Sequence, residues 1–455
     1  MNTITCDDRK NMMALSVTEI VEATGGRLIS PGTDSFTGVS IDSRKIQHGE
    51  LFIALKGDRF DGHDFLPEAL GNGSGAIVSR PPDTVFRDKT IIFVGDTLKA
   101  LQDVGRRMRC ARNIPAVAIT GSNGKTTTKE LISSILGTRY RVLKNAGNLN
   151  NHIGLPLSLT RISGADEVIV LEMGASGPGE IRQLCGIAVP DYGVITNISH
   201  AHLEGFGDIA TVRKTKLELL ESVSLAVVNA DDDFLMEGLK QSGFQGKLIR
   251  YGIKNPSDIY ASDIELKERG SRFVMHAQGR TMEISPQISG MFNISNLLAA
   301  AAVGFLFDIA PESIKEAIES FTGVPMRLEV REVEGIKVIS DVYNANPASM
   351  EEAVKELVRN RQGRVIAVLG DMLELGTYEE EAHRKLGRLM SDLRIDIFVA
   401  VGPCMSLAAS EFRGEVHRLQ TSAEAAKVLG DIRRNGDTVL IKGSRGMRME
   451  KVLEE

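Results

Sequence analysis

The loop Thr120-Gly121-Ser122-Asn123-Gly124-Lys125-Thr126-Thr127 constrains this chain more than any other segment. It ends the apolar run 115–120 and opens a helical pattern. Glycines let backbone N–H groups approach phosphate oxygens, and a helix N-terminus adds a favourable dipole. Lys125 can then reach the β- and γ-phosphates of a nucleotide, and the Thr126 hydroxyl can hold Mg²⁺. The common spacing of such loops has glycine at position 119, where Ile119 stands. Strand–loop–helix context favours an ATP-binding loop over a glycine-rich turn with an exposed lysine.

Such a loop needs a parallel sheet behind it, and the flanking pattern provides one. Runs 167–174, 192–198 and 225–229 are short and almost continuously apolar, as strands covered on both faces must be. Helical stretches at 129–136 and 211–220 lie between them, which is βαβ order. A second series, 338–342, 364–371, 396–402 and 438–442, follows a helix at 296–307 and a turn at Thr322-Gly323-Val324-Pro325. The fold expected is α/β in three domains. These are a 13–113 α/β unit, a 114–324 parallel-sheet ATPase unit and a 325–455 Rossmann-like unit. Three domains also suit 455 residues at roughly 150 per domain. Ser16-Val17-Thr18-Glu19 has capping-box spacing and opens the first helix, so Met12 or Met13 is a candidate start beside Met1.

Composition narrows the function. A net charge of −6 argues against a nucleic-acid partner. Cys6, Cys110, Cys185 and Cys404 are scattered without a CxxC pair, which argues against a disulfide framework or zinc site and fits the cytoplasm. No apolar run is long enough to span a bilayer, and residues 1–11 are too polar for a signal peptide.

Other strand ends carry chemistry. Glu172 closes a parallel strand, where a carboxylate faces the ligand crevice and offers Mg²⁺ hard oxygens. His200, His202 and Glu204 share a Gly-flanked loop that could take metal or substrate; singly, each histidine reads as solvated. The loop 147–154 holds Asn148, Asn150 and Asn151, amides that orient polar substrates or simply build turns. Ser43 and Arg44, and Lys56, Arg59, Asp61 and His63, lie on turns whose basic residues could grip a diphosphate; locally a solvated charged turn is the stronger reading. Lys214 and Lys216, with Glu218 and Glu221, look like the charged face of a helix.

TGSNGKTTTKE, GNLNNHIG, LEMGAS, HLEGFG, Lys216, FNISN, the RLE at Arg327, DVYNANP, GDMLELG and KGSRG occur in this order. The ordered set resembles the Mur ligases of peptidoglycan synthesis over essentially the whole chain from about Met13. Among them it is most similar to those that add D-alanyl-D-alanine to a UDP-MurNAc-tripeptide. GDMLELG stands where the enzyme for the third amino acid carries an Asp-Asn-Pro-Arg-type motif. Met326 replaces a common glycine, and Ser295 and Leu297 replace alanines.

The resemblance implies a UDP-sugar domain, an ATPase domain and a closing C-terminal domain. It implies ATP and two Mg²⁺ ions, with Thr126, Glu172 and His202 around metal and Lys216 carbamylated to hold the second ion. It places Lys125, Lys216 and His202 in catalysis, Asn293 and Asn296 near adenine, and Arg327, Asp341 and Tyr343 on the nucleotide. Asn344 and Asn346 join the substrate set, with Asn346 able to cap the next helix ahead of Pro347. The expected enzyme is a cytoplasmic monomer with small-molecule substrates, no nucleic acid and no membrane span. The competing readings are a related amide ligase, such as the third-residue enzyme or folylpolyglutamate synthase, and a P-loop ATPase that makes no bond.

Overall fold

In a computed structural model, residues 14–267 and 270–453 are described; Cys6 and the alternative starts Met12 and Met13 lie outside them. The capping box forms as expected: Ser16 accepts from Glu19 N at 3.2 Å and Glu19 accepts in return, opening the helix Val17–Thr24. A five-stranded sheet follows, in the order Arg27–Ser30, Thr90–Phe93, Gly75–Val78, Glu50–Ile53, Gly38–Ser40. It is parallel apart from the Arg27–Ser30 edge.

The central sheet has nine strands. Ala116–Thr120, the strand feeding the phosphate loop, lies between Val168–Glu172 and Tyr192–Ile195 and is parallel to both. The chain crosses over Ala116–Thr120 in passing from one neighbour to the other, so the loop sits at a topological switch point, where α/β sheets open a ligand crevice. Parallel pairing continues through Leu225–Asn229, Lys247–Gly252 and Ile259–Leu266. Two antiparallel strands, Ser271–Ala277 and Arg280–Ile284, finish that side.

The apolar-run criterion finds Ala116–Thr120, Val168–Glu172, Tyr192–Ile195 and Leu225–Asn229 but not these last four, nor the short edge strand Val142–Lys144, which pairs parallel with Val168–Glu172. Ile259–Leu266 and Ser271–Ala277 alternate buried and exposed residues, because one face meets solvent. The phosphate-loop helix is also longer than the 129–136 pattern. It spans Lys125–Leu136, and Lys129, read as its first residue, is completely buried. The reason is the helix Met291–Leu306, apolar nearly all round, which packs against it.

The third sheet has six strands in the order Glu329–Val333, Ile336–Asp341, Thr438–Lys442, Val365–Gly370, Ile397–Val401, Glu415–Leu419. Only the first pairs antiparallel. Asn346 caps Pro347–Arg359 through Ser349 N at 3.0 Å, as its sequence position implies. Thus the chain is α/β with three main sheets. No helix among the described residues is long and apolar enough to cross a membrane.

Arg109, on the helix Thr97–Cys110, fastens the first sheet's helix to the central one. Its buried guanidinium donates to the carbonyls of Ala188, Arg112 and Val189 at 2.9, 3.1 and 3.0 Å and to Asp191 at 3.0 Å. Val189 is a β-branched residue at φ 44°, a backbone held only where its surroundings over-determine it. Arg109→Ala should lower the unfolding free energy by roughly 2–4 kcal/mol, because several carbonyls lose their donors. Arg109→Lys should recover less than half. Urea titration checks this, and a loss under about 0.5 kcal/mol would contradict it.

Candidate active site

The phosphate loop is shaped by contacts that admit no side chain at two glycines. Gly121 has φ 141° and an added Cβ would lie 2.0 Å from Thr196 Oγ1; Gly124 has φ 80° and its Cβ would lie 2.3 Å from Asn296 Oδ1. Around them the loop is pinned to the end of the next strand. Ser122 N donates to Asn197 O at 2.9 Å, and Asn123 N donates to Asn197 Oδ1 at 3.0 Å. Thr196 Oγ1 donates to Asn123 O at 2.6 Å.

Lys125 folds over this loop, donating to Gly121 O at 2.7 Å and Ser122 O at 3.1 Å. Burial, opposed by Glu172 and reinforced by Arg327, pushes its ammonium down to about 8. Next to it, Thr126 Oγ1 donates to Glu172 at 2.8 Å and accepts from Arg327 Nη2 at 2.9 Å. Glu172 is buried, and its other oxygen accepts from Asn150 Nδ2 at 2.8 Å.

Two residues missed by sequence reading complete the support. Asn145 bonds both backbone groups of Glu172, at 2.9 and 3.0 Å. Lys129 donates to Asn145 O at 2.9 Å and lies 3.9 Å from the Glu172 carboxylate. Lys129 was visible in the TKE of the loop motif, but helical periodicity offered no reason to bury it.

Arg327 comes from the third sheet's side of the molecule. Its guanidinium stacks 4.3 Å over the Tyr343 ring. Met326 and Leu328, its neighbours, have φ 64° and 48°. The methionine therefore sits where glycine would be unstrained, which gives the sequence departure at 326 a physical cost. Asn346 Nδ2 donates to Asn123 Oδ1 at 2.7 Å. Asp341 is paired with the buried Lys442, which also donates to Asn344 O at 2.9 Å. Lys442, the first residue of KGSRG, is another functional position that the site reading left out.

Together these elements wall a cavity of about 1260 Å³ between the central and third sheets. Ser122 to Thr127, Asn148, Asn150, Asn151, Glu172, His202, Asn293, Asn296, Arg327, Asp341, Tyr343, Asn344 and Asn346 all line it. His202 also pairs through Nδ1 with Glu374 of the third sheet's unit. Among the described residues no three His, Cys, Asp or Glu side chains gather as a ready metal cluster.

Lys216 departs from its local sequence reading. It is buried, unlike exposed Lys214, with Nζ 3.4 Å from Ala175 O and 5.4 Å from the centre of the Phe206 ring. It stands behind the cavity wall at Ala175 rather than on the wall itself. Burial and the Lys125 charge push its ammonium down to about 7, against the pull of Glu180 and Glu218.

Three family descriptions match the chain in series: Mur ligase family, catalytic domain, at residues 35–113; Mur ligase middle domain at 119–304; and Mur ligase, glutamate ligase domain, at 326–445. This chain belongs to the Mur ligase family. It is 36% identical to the UDP-N-acetylmuramoyl-tripeptide--D-alanyl-D-alanine ligase of Bacillus subtilis (strain 168), over 98% of both chains. Its fold matches MurF from Acinetobacter baumannii with a TM-score of 0.91 at 31% identity, covering 98% of this chain and 99% of that one. It also matches the MurF ligase from Thermotoga maritima solved in complex with ADP, with a TM-score of 0.82 at 32% identity, covering 92% and 96%.

The N-terminal candidates of this Mur ligase do not reach the cavity. Ser43 donates to Glu68 at 2.5 Å, and exposed Arg44 pairs with Asp42 at 2.9 Å, holding that carboxyl down at about 2. Lys56 and Arg59 are exposed. His63 is buried, with Nδ1 on Asp61 at 2.6 Å and Nε2 accepting from Ser79 N at 2.9 Å, so both ring nitrogens serve the fold.

A triphosphate beside Lys125 should raise its lowered pKa, and the sign follows from linkage. The free ammonium is largely deprotonated above about 8, so binding takes up protons there. Calorimetric titration with MgATP at pH 8.5, in buffers of different ionisation enthalpy, should show uptake of a little under one proton per nucleotide. Lys125→Met should abolish it. Proton-neutral binding by the unmodified protein would contradict the placement.

Proposed function

We propose that this chain joins D-alanyl-D-alanine to the terminal carboxylate of a UDP-MurNAc-tripeptide, converting ATP to ADP and phosphate. One observation carries the reading: Arg327, from the third sheet's side, donates to Thr126 of the phosphate loop at 2.9 Å, and both line a cavity of about 1260 Å³ between the two sheets. The full-length likeness to the Bacillus subtilis enzyme supports the choice of substrates.

A carboxylate does not react with an amine until it is activated. In this reading the tripeptide carboxylate attacks the γ-phosphorus and ADP leaves. Lys125 and Arg327 neutralise charge growing on the phosphoryl oxygens. The dipeptide amine then attacks the acyl phosphate, loses a proton, and the tetrahedral intermediate expels phosphate. Water must be kept out, or the acyl phosphate hydrolyses. The contacts Asn123–Asn346 and Thr126–Arg327 support a third domain that closes over the site.

The residues fit Mg²⁺. Thr126 and Glu172 present hard oxygens 2.8 Å apart, with the carboxylate buried and fixed. An ion there would supply Lewis-acid charge neutralisation. His202 on the cavity wall is the third candidate ligand. Lys216, carbamylated, would give a second ion an oxygen-bearing anion in place of a repelling ammonium. Its lowered pKa leaves a neutral amine fraction, the form that adds to CO₂ with release of a proton. ATP and a UDP-linked precursor as substrates fit a cytoplasmic enzyme.

Mass spectrometry tests the reading. The purified protein, ATP and D-alanyl-D-alanine should yield the pentapeptide from UDP-MurNAc-tripeptides carrying diaminopimelate or lysine. Ligation of a single amino acid to the dipeptide precursor, or of glutamate to a folate, would select a related ligase. ADP release independent of any acceptor would select a plain ATPase.

Lys216→Ala should lose at least about 100-fold in kcat and recover in part with added short-chain carboxylates. The unmodified protein under ¹³CO₂ should show a carbamate ¹³C resonance that the variant lacks. Full activity of Lys216→Ala in CO₂-depleted buffer would end this role.

A further inference from the structure

The loop carrying GDMLELG belongs to the third sheet's unit, yet it reaches back to the His202 loop of the central one. Glu374 accepts from His202 Nδ1 through its side chain and from Glu204 N, at 3.0 Å, through its carbonyl. His200 stacks on Tyr378 with ring centres 4.6 Å apart. Three contacts thus join the same two loops.

The Glu374 loop is itself rigidly placed. Glu374 has φ 63°, a left-handed backbone for a residue with a side chain. Its neighbours hold it there. Met372 N donates to buried His383 at 3.0 Å, Leu373 N donates to Ser444 Oγ at 2.9 Å, and Asp371 accepts from Met405 N at 2.6 Å. His202 is likewise left-handed, at φ 54°. Both backbones are therefore bent to bring the two side chains together.

Stability does not account for this. The pair is more than half open to solvent on the glutamate side, where ion pairs contribute little. Orientation does. An ionised carboxylate only accepts, so Nδ1 carries a proton, and in the neutral ring the lone pair is then on Nε2. Among the described residues Nε2 has no hydrogen-bond partner, and His202 lines the cavity shared with the phosphate loop. A carboxylate behind one imidazole nitrogen is the common way to aim the other as a ligand or acceptor.

We propose that Glu374 is a positioning residue that fixes the Nδ1–H tautomer and ring direction of His202, so that His202 is set for reaction only while the third domain is docked. This rests on the ligase reading above and adds to it a residue in GDMLELG with a stated task. The substitution that separates this motif from the Asp-Asn-Pro-Arg type then bears on the central site as well as on the incoming substrate.

The test uses the full-length protein with UDP-MurNAc-tripeptide, D-alanyl-D-alanine and MgATP. Glu374→Ala should lower kcat roughly 10- to 100-fold with little change in KM for ATP. Glu374→Gln, whose amide oxygen still accepts from Nδ1, should restore most of it. In a His202→Ala background Glu374→Ala should cost nothing further, whereas a merely structural role would add its loss again. Independently of activity, ¹⁵N spectra of histidine-labelled protein should show His202 as the Nδ1–H tautomer, and Glu374→Ala should shift it toward Nε2–H. An unchanged tautomer, or an additive loss in the His202→Ala background, overturns the proposal. If the unmodified protein makes no pentapeptide, the ligase reading falls instead, and the tautomer measurement alone decides Glu374.

Discussion

A buried carboxylate is tolerated only when its oxygens are used, and the site is arranged around that constraint at Glu172. Thr126 and Asn150 each take one oxygen, Asn145 holds the backbone on both sides, and buried Lys129 supplies a positive charge 3.9 Å away. Losing a partner would leave desolvated charge, which costs far more than one hydrogen bond. The phosphate loop, the amide loop 145–151 and the strand Val168–Glu172 are therefore locked as a unit. Thr126 carries that order outward to Arg327, and with it to the third sheet.

The geometry also places two lysines at different depths from the cavity. Lys125 rests on loop carbonyls at the cavity wall; Lys216 lies behind Ala175, where the Lys125 charge adds to burial in lowering its ammonium. A pair of cations enclosed this way is poorly satisfied by protein alone. It suits an anion arriving from the cavity beside Lys125.

How much of this was legible depended on what each residue's signal measures. Strands buried on both faces announce themselves as apolar runs, so Ala116–Thr120, Leu225–Asn229 and Thr438–Lys442 were readable. Ile259–Leu266 and Ser271–Ala277 were not, because a half-solvated strand alternates with polar residues. The phosphate loop, Glu172 and the Asn346 cap were readable, since backbone chemistry demands those residue types. Lys129, Asn145 and Lys442 were invisible as site residues, because their importance comes from partners 16 to 101 positions away. Lys216 was misread locally for the same reason: a helix face looks solvated until the element that covers it is known. The turn residues Ser43, Arg44, Asp61 and His63 were legible as polar clusters, but their partners proved to be Glu68 for Ser43, Asp42 for Arg44, and each other and Ser79 N for Asp61 and His63.

A carboxylate activated by phosphoryl transfer within the cavity joining the two sheets gives up one of its own oxygens to the phosphate. A UDP-MurNAc-tripeptide labelled with ¹⁸O in its terminal carboxylate should, on ligation with D-alanyl-D-alanine, deliver one ¹⁸O to the phosphate released with each pentapeptide. Phosphate free of the label, with pentapeptide formed at the normal rate, would contradict the acyl-phosphate route and the roles assigned to Lys125 and Arg327.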